Sequence, residues 1–109
     1  MDNITWRILF KWAFLNKTGA AKAATFHDLL EWFSIAADTG GLFHFIDDEG
    51  KPSGIILANI NDNVKTVEVM FALLTTKGLL KQAFRHFHTE FPGYTLIALR
   101  YGKPTIYFQ

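Results

Sequence analysis

Cysteine is absent from the 109-residue chain. That excludes disulfide staples, thiolate metal sites and cysteine nucleophiles, and it fits a reducing, cytoplasmic compartment. Serine occurs only at Ser34 and Ser53, and no Ser-His-Asp arrangement follows from their spacing. No phosphate loop or dinucleotide glycine pattern is present. Long hydrophobic runs are missing too. The apolar stretch Ile8 to Leu15 is broken by Lys11 and preceded by Arg7, is far shorter than the roughly 20 residues that span a bilayer, and lacks the flanks of a secretory leader. Neither charge sign dominates. The formal net charge is +1, which argues against nucleic acid as a bulk electrostatic partner. No internal repeat or low-complexity tract is visible.

What is present is apolar and aromatic. Half of the residues are hydrophobic, with 11 Phe beside 3 Trp and 3 Tyr. Bulky rings bury a large area per residue and help a short chain build one core. The length fits a single domain over 1–109, with an N-terminal helix and connector over 1–24 and a core over 25–109. The charges are sorted along the chain: they balance over 1–40, sum to −3 over 41–75 and to +4 over 76–109. A basic C-terminal third suits an anionic ligand such as a phosphate.

The periodicity predicts an α+β chain. Asn3 to Asn16 reads as a helix capped by Asn3, with Ile4, Ile8, Leu9, Trp12 and Leu15 on one face. Phe10 and Phe14 widen its apolar surface, and Gly19 is a candidate C-terminal cap. Thr25-Phe26-His27-Asp28 resembles a capping box. It opens a second helix that turns Phe26, Leu29, Leu30, Phe33 and Ile35 to Ala37 inward and stops near Gly40-Gly41. The period then changes. Leu42 to Ile46, Gly54 to Ile60 and Lys65 to Leu73 read as strands, separated by the turns Asp47 to Pro52, where Gly50 suits a positive φ, and Asn61 to Asn63. Such short turns make an antiparallel meander. A helix from Thr75 or Thr76 to Glu90 buries Leu79, Leu80, Ala83, Phe84 and Phe87, and Pro92-Gly93 ends it. Tyr94 to Leu99 is a fourth strand, parallel to the third because a helix crosses over between them. After a turn at Tyr101 to Pro104, Thr105 to Phe108 is a short edge strand.

Two segments carry a family resemblance. They are Thr66-Val-Glu-Val-Met-Phe-Ala-Leu-Leu-Thr-Thr-Lys-Gly-Leu-Leu-Lys-Gln-Ala-Phe84 and Phe91-Pro-Gly-Tyr-Thr-Leu-Ile-Ala-Leu-Arg100. With the element order from Thr25 to Phe108, they resemble the GNAT N-acyltransferase superfamily. The resemblance implies a third strand that splays from its parallel neighbour, with acetyl-CoA in the V and its pyrophosphate on the start of the crossover helix. Free backbone N–H groups and the helix dipole favour an anion at such a place. The implied cradle is Leu73, Leu74, Thr75, Thr76, Lys77, Gly78 and Leu79. The implied catalytic pair is Glu68, as general base toward a small-molecule or protein amine, and Tyr101, as general acid. The superfamily's Gly-x-Gly or Gly-x-Ala pair stands here as Thr-Thr-Lys-Gly. Short, degenerate members occur in phage genomes, where some resemble structural or virion components. A second reading is therefore a non-catalytic assembly protein, virion-associated if phage-encoded, that meets a second copy or a protein partner through Trp6, Phe10 and Phe14. A third is a PAS- or profilin-like ligand-binding module, whose sheet lacks a parallel, splayed pair.

Other candidates have plain structural alternatives. Glu68 also suits the solvent face of a half-exposed strand. His44 is a candidate base or ligand contact, and equally a strand histidine among aromatics. His86 and His88 lie two apart on a helix and share no face, so no metal is expected. Tyr94 and Tyr107 are rim aromatics or acids. Lys77, Lys81, Arg85, Arg100 and Lys103 form a basic set, with a solvated helix face as the alternative.

Overall fold

The computed structural model describes residues 3–17, 22–100 and 103–108. Two helices, α1 (Asn3–Asn16) and α2 (Phe26–Thr39), precede β1 (Leu42–Ile46), β2 (Pro52–Asn61) and β3 (Thr66–Leu74). Helix α3 (Lys77–Glu90), β4 (Thr95–Arg100) and β5 (Lys103–Phe108) follow. The strands form one mixed open sheet in the order β1-β2-β3-β4-β5. Among the described strands only β3 and β4 are parallel; the other neighbours are antiparallel. The α+β class, the meander and the parallel crossover are as expected from periodicity. Among the described residues no helix is long and apolar enough to cross a membrane.

The sheet has a helix layer on each face. Leu9, Phe10 and Ala13 of α1 and Leu29, Phe33 and Ala36 of α2 bury against Ile55, Leu57, Phe71 and Leu73. On the opposite face Ala83 and Phe87 of α3 cover Ile56, Ala58, Ile60, Val67 and Leu96. The first layer is held by rings. Trp6 stacks on Phe10 at 5.4 Å and meets Phe33 edge-on at 5.4 Å. Phe26 lies edge-on to Phe10 at 4.9 Å and to Phe14 at 5.8 Å. Each such pair adds about 0.5–1.5 kcal/mol beyond burial.

This cluster corrects the expected helix faces. In α1 the buried row is Leu9, Phe10 and Ala13, while Ile8 and Leu15 are 52% and 68% exposed. The Trp6–Phe10–Phe33 contacts turn α1 toward its rings, because they bury more area than Ile8 and Leu15 offer. In α2, Phe26, Leu30 and Ala37 are exposed rather than inward, and in α3 Leu80 is exposed. Asn3 is itself helical, so it lies inside α1 rather than capping it. Gly19 lies outside the described residues.

The termini of α2 are fixed by local chemistry. Thr25 and Asp28 form the capping box: the Asp28 N–H donates to Thr25 Oγ1 at 3.1 Å, and the Thr25 N–H donates to Asp28 Oδ2 at 3.0 Å. That backbone donor holds the Asp28 carboxyl below its ordinary range. At the other end Gly40 takes φ +84 and closes the helix. Gly41 then passes against β2, and its carbonyl accepts from the Ala58 N–H at 2.9 Å. The Thr39 hydroxyl accepts from the Ile60 N–H at 3.1 Å and donates to the Ile35 carbonyl at 3.0 Å, tying α2 to β2.

The register of β2 on β3 contains one irregularity. Leu57 pairs with Phe71 but Ala58 pairs with Val69, so Met70 is a surplus residue on β3. A bulge of this kind shifts the alternation of side chains. Val67 and Val69 face α3; Phe71 and Leu73 face α1 and α2.

The close approach at Gly41 gives a paired test. A Cβ there would lie 2.0 Å from the Ala58 carbonyl oxygen, whereas one at Gly78 would meet nothing within 4 Å. Gly41→Ala is expected to lower unfolding free energy by about 3 kcal/mol or more. Gly78→Ala is expected to raise it by about 0.5–1 kcal/mol, since alanine is the better helix residue. Urea unfolding followed by circular dichroism reads both.

Candidate functional site: the junction of β3 and α3

The parallel pairing of β3 with β4 covers only Thr66↔Thr95, Val67↔Leu96, Glu68↔Ile97 and Val69↔Ala98. Strand β3 continues to Leu74 and β4 to Arg100 without pairing further with each other. The separation begins at the surplus Met70, because a bulge bends its strand and increases its twist. Beyond it Ala72 is exposed although its neighbours Phe71 and Leu73 are buried. The β3 edge is thus open on the β4 side and leads to the start of α3.

That start is held by a bond to β2. The Thr75 N–H and hydroxyl both donate to the Ser53 carbonyl, at 3.1 and 2.6 Å. Thr76 is the N-cap residue of α3, extended at φ −131, and its side chain makes no capping hydrogen bond. Lys77 and Gly78 are the first helical residues, whose N–H groups have no acceptor within the helix. Gly78 is exposed with open space above it. The Leu79 N–H donates to the Thr76 carbonyl at 3.3 Å. Beneath the junction, Gly54 lets Leu74, Leu79 and Phe45 close over β2: a Cβ there would lie 2.9–3.1 Å from all three.

The seven cradle residues therefore divide. Leu73 is buried in the core on the α1–α2 face, and Leu74 and Leu79 are half-buried supports. Thr75 is a tether to β2. Thr76, Lys77 and Gly78 carry the polar backbone that faces outward at the helix start. The side chain of Lys77 lies outside the described residues, as does all of Tyr101. Lys81 and Arg85, four apart on α3, are exposed.

Glu68 is exposed on β3, one residue before the last parallel pair, with Asn59 and Ile97 as its neighbours across the sheet. It thus stands at the apex of the open edge. His44 is elsewhere, half-buried beside Trp6, Ala36 and Leu42 in an open cleft of about 480 Å³ between the two helices and β1. His86 stacks on Phe43 at 4.0 Å and His88 is exposed. No cluster of three metal-ligating side chains occurs among the described residues. Nor is any polar side chain among them fully buried, so the chemistry available here belongs to backbone groups and surface side chains.

Tyr94 is drawn away from the junction. It precedes β4 at the opposite end of β3, where its hydroxyl donates to Asp62 and Lys65 Nζ lies 5.1 Å from its ring centroid. The Thr95 N–H donates to the Lys65 carbonyl at 2.9 Å, so the β2–β3 turn clamps the entry of β4. Lys65 takes φ +56 in that turn. Sequence reasoning missed this clamp and the bulge. The one signal for the clamp was a polar turn rich in Asn and Asp, and nothing in Val-Met-Phe marks a surplus residue.

No protein-family model, curated protein or solved structure matches the chain. The geometry of the junction is therefore the ground for a functional reading.

The Tyr94 contact has a pH signature. Its hydrogen bond to Asp62, aided by partial desolvation, raises the phenol above its ordinary value of about 10. A raised value in the folded state means the contact is intact below about pH 10 and is lost as pH rises through the folded value. Phenolate absorbance, compared with Tyr94→Phe to isolate this residue, should show a late titration that moves earlier in Asp62→Asn.

Proposed function

We propose that the chain is a GNAT-like protein that binds acyl-CoA, acetyl-CoA in the simplest case, and transfers the acyl group to an amine. The observation that carries this reading is the coincidence of the Met70 bulge with the end of β3–β4 pairing. Together they open a backbone edge between two parallel strands, directly before a helix start. The donors fit the ligand: the N–H groups of Lys77 and Gly78 and the helix dipole suit a pyrophosphate, and the space above Gly78 admits it. Lys81 and Arg85 add positive charge one and two turns further on.

Bound acyl-CoA supplies an activated thioester. The roles left to the protein follow from position. Glu68, at the apex of the open edge, takes the proton released by the attacking amine, directly or through a water. Tyr101 is assigned as the acid for the leaving thiolate on the resemblance alone. The parallel β3–β4 pair weighs against a PAS- or profilin-like module.

A second reading, a non-catalytic assembly protein of the kind phages encode, is favoured by a different observation. Ile8, Leu15, Phe26 and Leu30 on the two N-terminal helices are all more than a third exposed, and apolar surface of this kind suits a partner. The surface is not the one expected: Phe10 is buried, and Trp6 and Phe14 pack against rings within the chain.

Calorimetric titration with acetyl-CoA separates the readings. Acyl transfer requires saturable binding that is lost in Gly78→Glu, which places a carboxylate at the helix start. With an amine acceptor, Glu68→Gln should lower kcat/KM by about a hundredfold while leaving the acetyl-CoA Kd unchanged. No binding at millimolar ligand sinks the transferase reading and leaves the assembly reading.

A further inference from the structure

Strand β1 lies at one end of the sheet and, among the described residues, pairs with β2 alone. Two hydrogen bonds fix the phase of that pairing. At one end the Gly41 carbonyl accepts from the Ala58 N–H at 2.9 Å, and at the other the Asp47 N–H donates to the Lys51 carbonyl at 2.8 Å. In an antiparallel ladder the inward backbone groups recur at every second residue. Phe43 and Phe45 therefore turn theirs to β2, as do the Gly41 carbonyl and the Asp47 N–H, and Leu42, His44 and Ile46 hold their N–H and C=O groups outward. The register shift near Ile46 adds Ser53 to β2 and leaves the phase of β1 intact.

Exposed edges are usually blunted by lysine, proline or charge, because bare ones recruit further strands. The opposite edge, β5, includes Lys103 and Pro104. Strand β1 is Leu-Phe-His-Phe-Ile, with no proline and no fixed charge. Its sequence also reads nearly the same in both directions about His44. A near-palindrome on a bare antiparallel edge is complementary to itself.

We propose that β1 is a homodimer interface, in which two copies pair antiparallel about a twofold axis through His44 and join their sheets. Leu42 then lies opposite the second copy's Ile46, Phe43 opposite its Phe45, and the two His44 residues meet on the axis. This register alone satisfies all the outward groups. A shift of one residue sets outward groups against inward ones, and a shift of two leaves an end residue unpaired. On the α3 face the edge-on Phe43–Phe45 pair, at 4.6 Å, extends into a row of four rings that carries His86 stacked on Phe43. The contact is isologous, so it closes at two copies.

Sedimentation equilibrium of the full chain over a micromolar concentration range tests this. The expected species has twice the 12.4 kDa mass of one chain. His44→Pro removes an outward N–H that β2 does not use, a substitution edge strands tolerate. His44→Lys keeps the backbone and sets two like charges opposite each other on the axis. Both variants are expected at 12.4 kDa with the helical circular dichroism of the parent, and Leu15→Lys on α1 is expected to remain dimeric. Should His44→Pro fail to fold, His44→Lys decides. A parent that is monomeric at every concentration overturns the proposal, as does a dimer that survives His44→Lys or dissociates only in Leu15→Lys.

Discussion

Met70 has no partner of its own on β2, and both cores follow from that surplus residue. Without it, Val67, Val69, Phe71 and Leu73 would alternate onto one face of the sheet. With it, the valines pack beneath α3 and Phe71 and Leu73 pack beneath α1 and α2. A single strand thus serves two helix layers in turn. The same bend ends the pairing with β4, so the internal organisation of the sheet and its open edge share one cause.

Close backbone approach supports this arrangement at two glycines. Gly41 brings the chain from α2 onto β2, at a distance no side chain allows. Gly54 lets the start of α3 settle over the sheet, with Leu74 and Leu79 above it. Between these points, Thr39 and Thr75 use their hydroxyls to join helix ends to β2. The helix start at Lys77 and Gly78 is therefore well fixed while its N–H groups remain available. A site made of positioned backbone donors needs no buried polar side chain, in keeping with a core that is apolar throughout the described residues.

Much of the fold was legible because its signals are local. The Thr25–Asp28 capping box, the Gly40 cap and the turn at Asp47 to Pro52 depend on residues within a few positions of each other. The parallel pairing of β3 with β4 was legible because a crossover helix separates them. The exposure of Glu68 followed from alternation. The helix faces were less so. Ile8 and Leu15 have the spacing of a buried stripe, and so do Leu9, Phe10 and Ala13; only the second set meets Phe33 of α2 and the strands. Phe26 covers Phe10 and Phe14 from outside, so a residue read as core is more than half exposed. The Asp62–Tyr94 contact joins residues 32 apart, beyond any local pattern.

The sequence by itself determined the α+β class, the element order, the ends of α2 and the absence of thiol chemistry, because caps, turns and periodicity act over one or two turns of chain. Tertiary structure decided which face of each helix is buried, where β3 parts from β4, how Thr75 is bound to Ser53, and which backbone groups of β1 face outward. Those depend on register between strands distant in sequence. One surplus residue changes that register, and no residue type announces it.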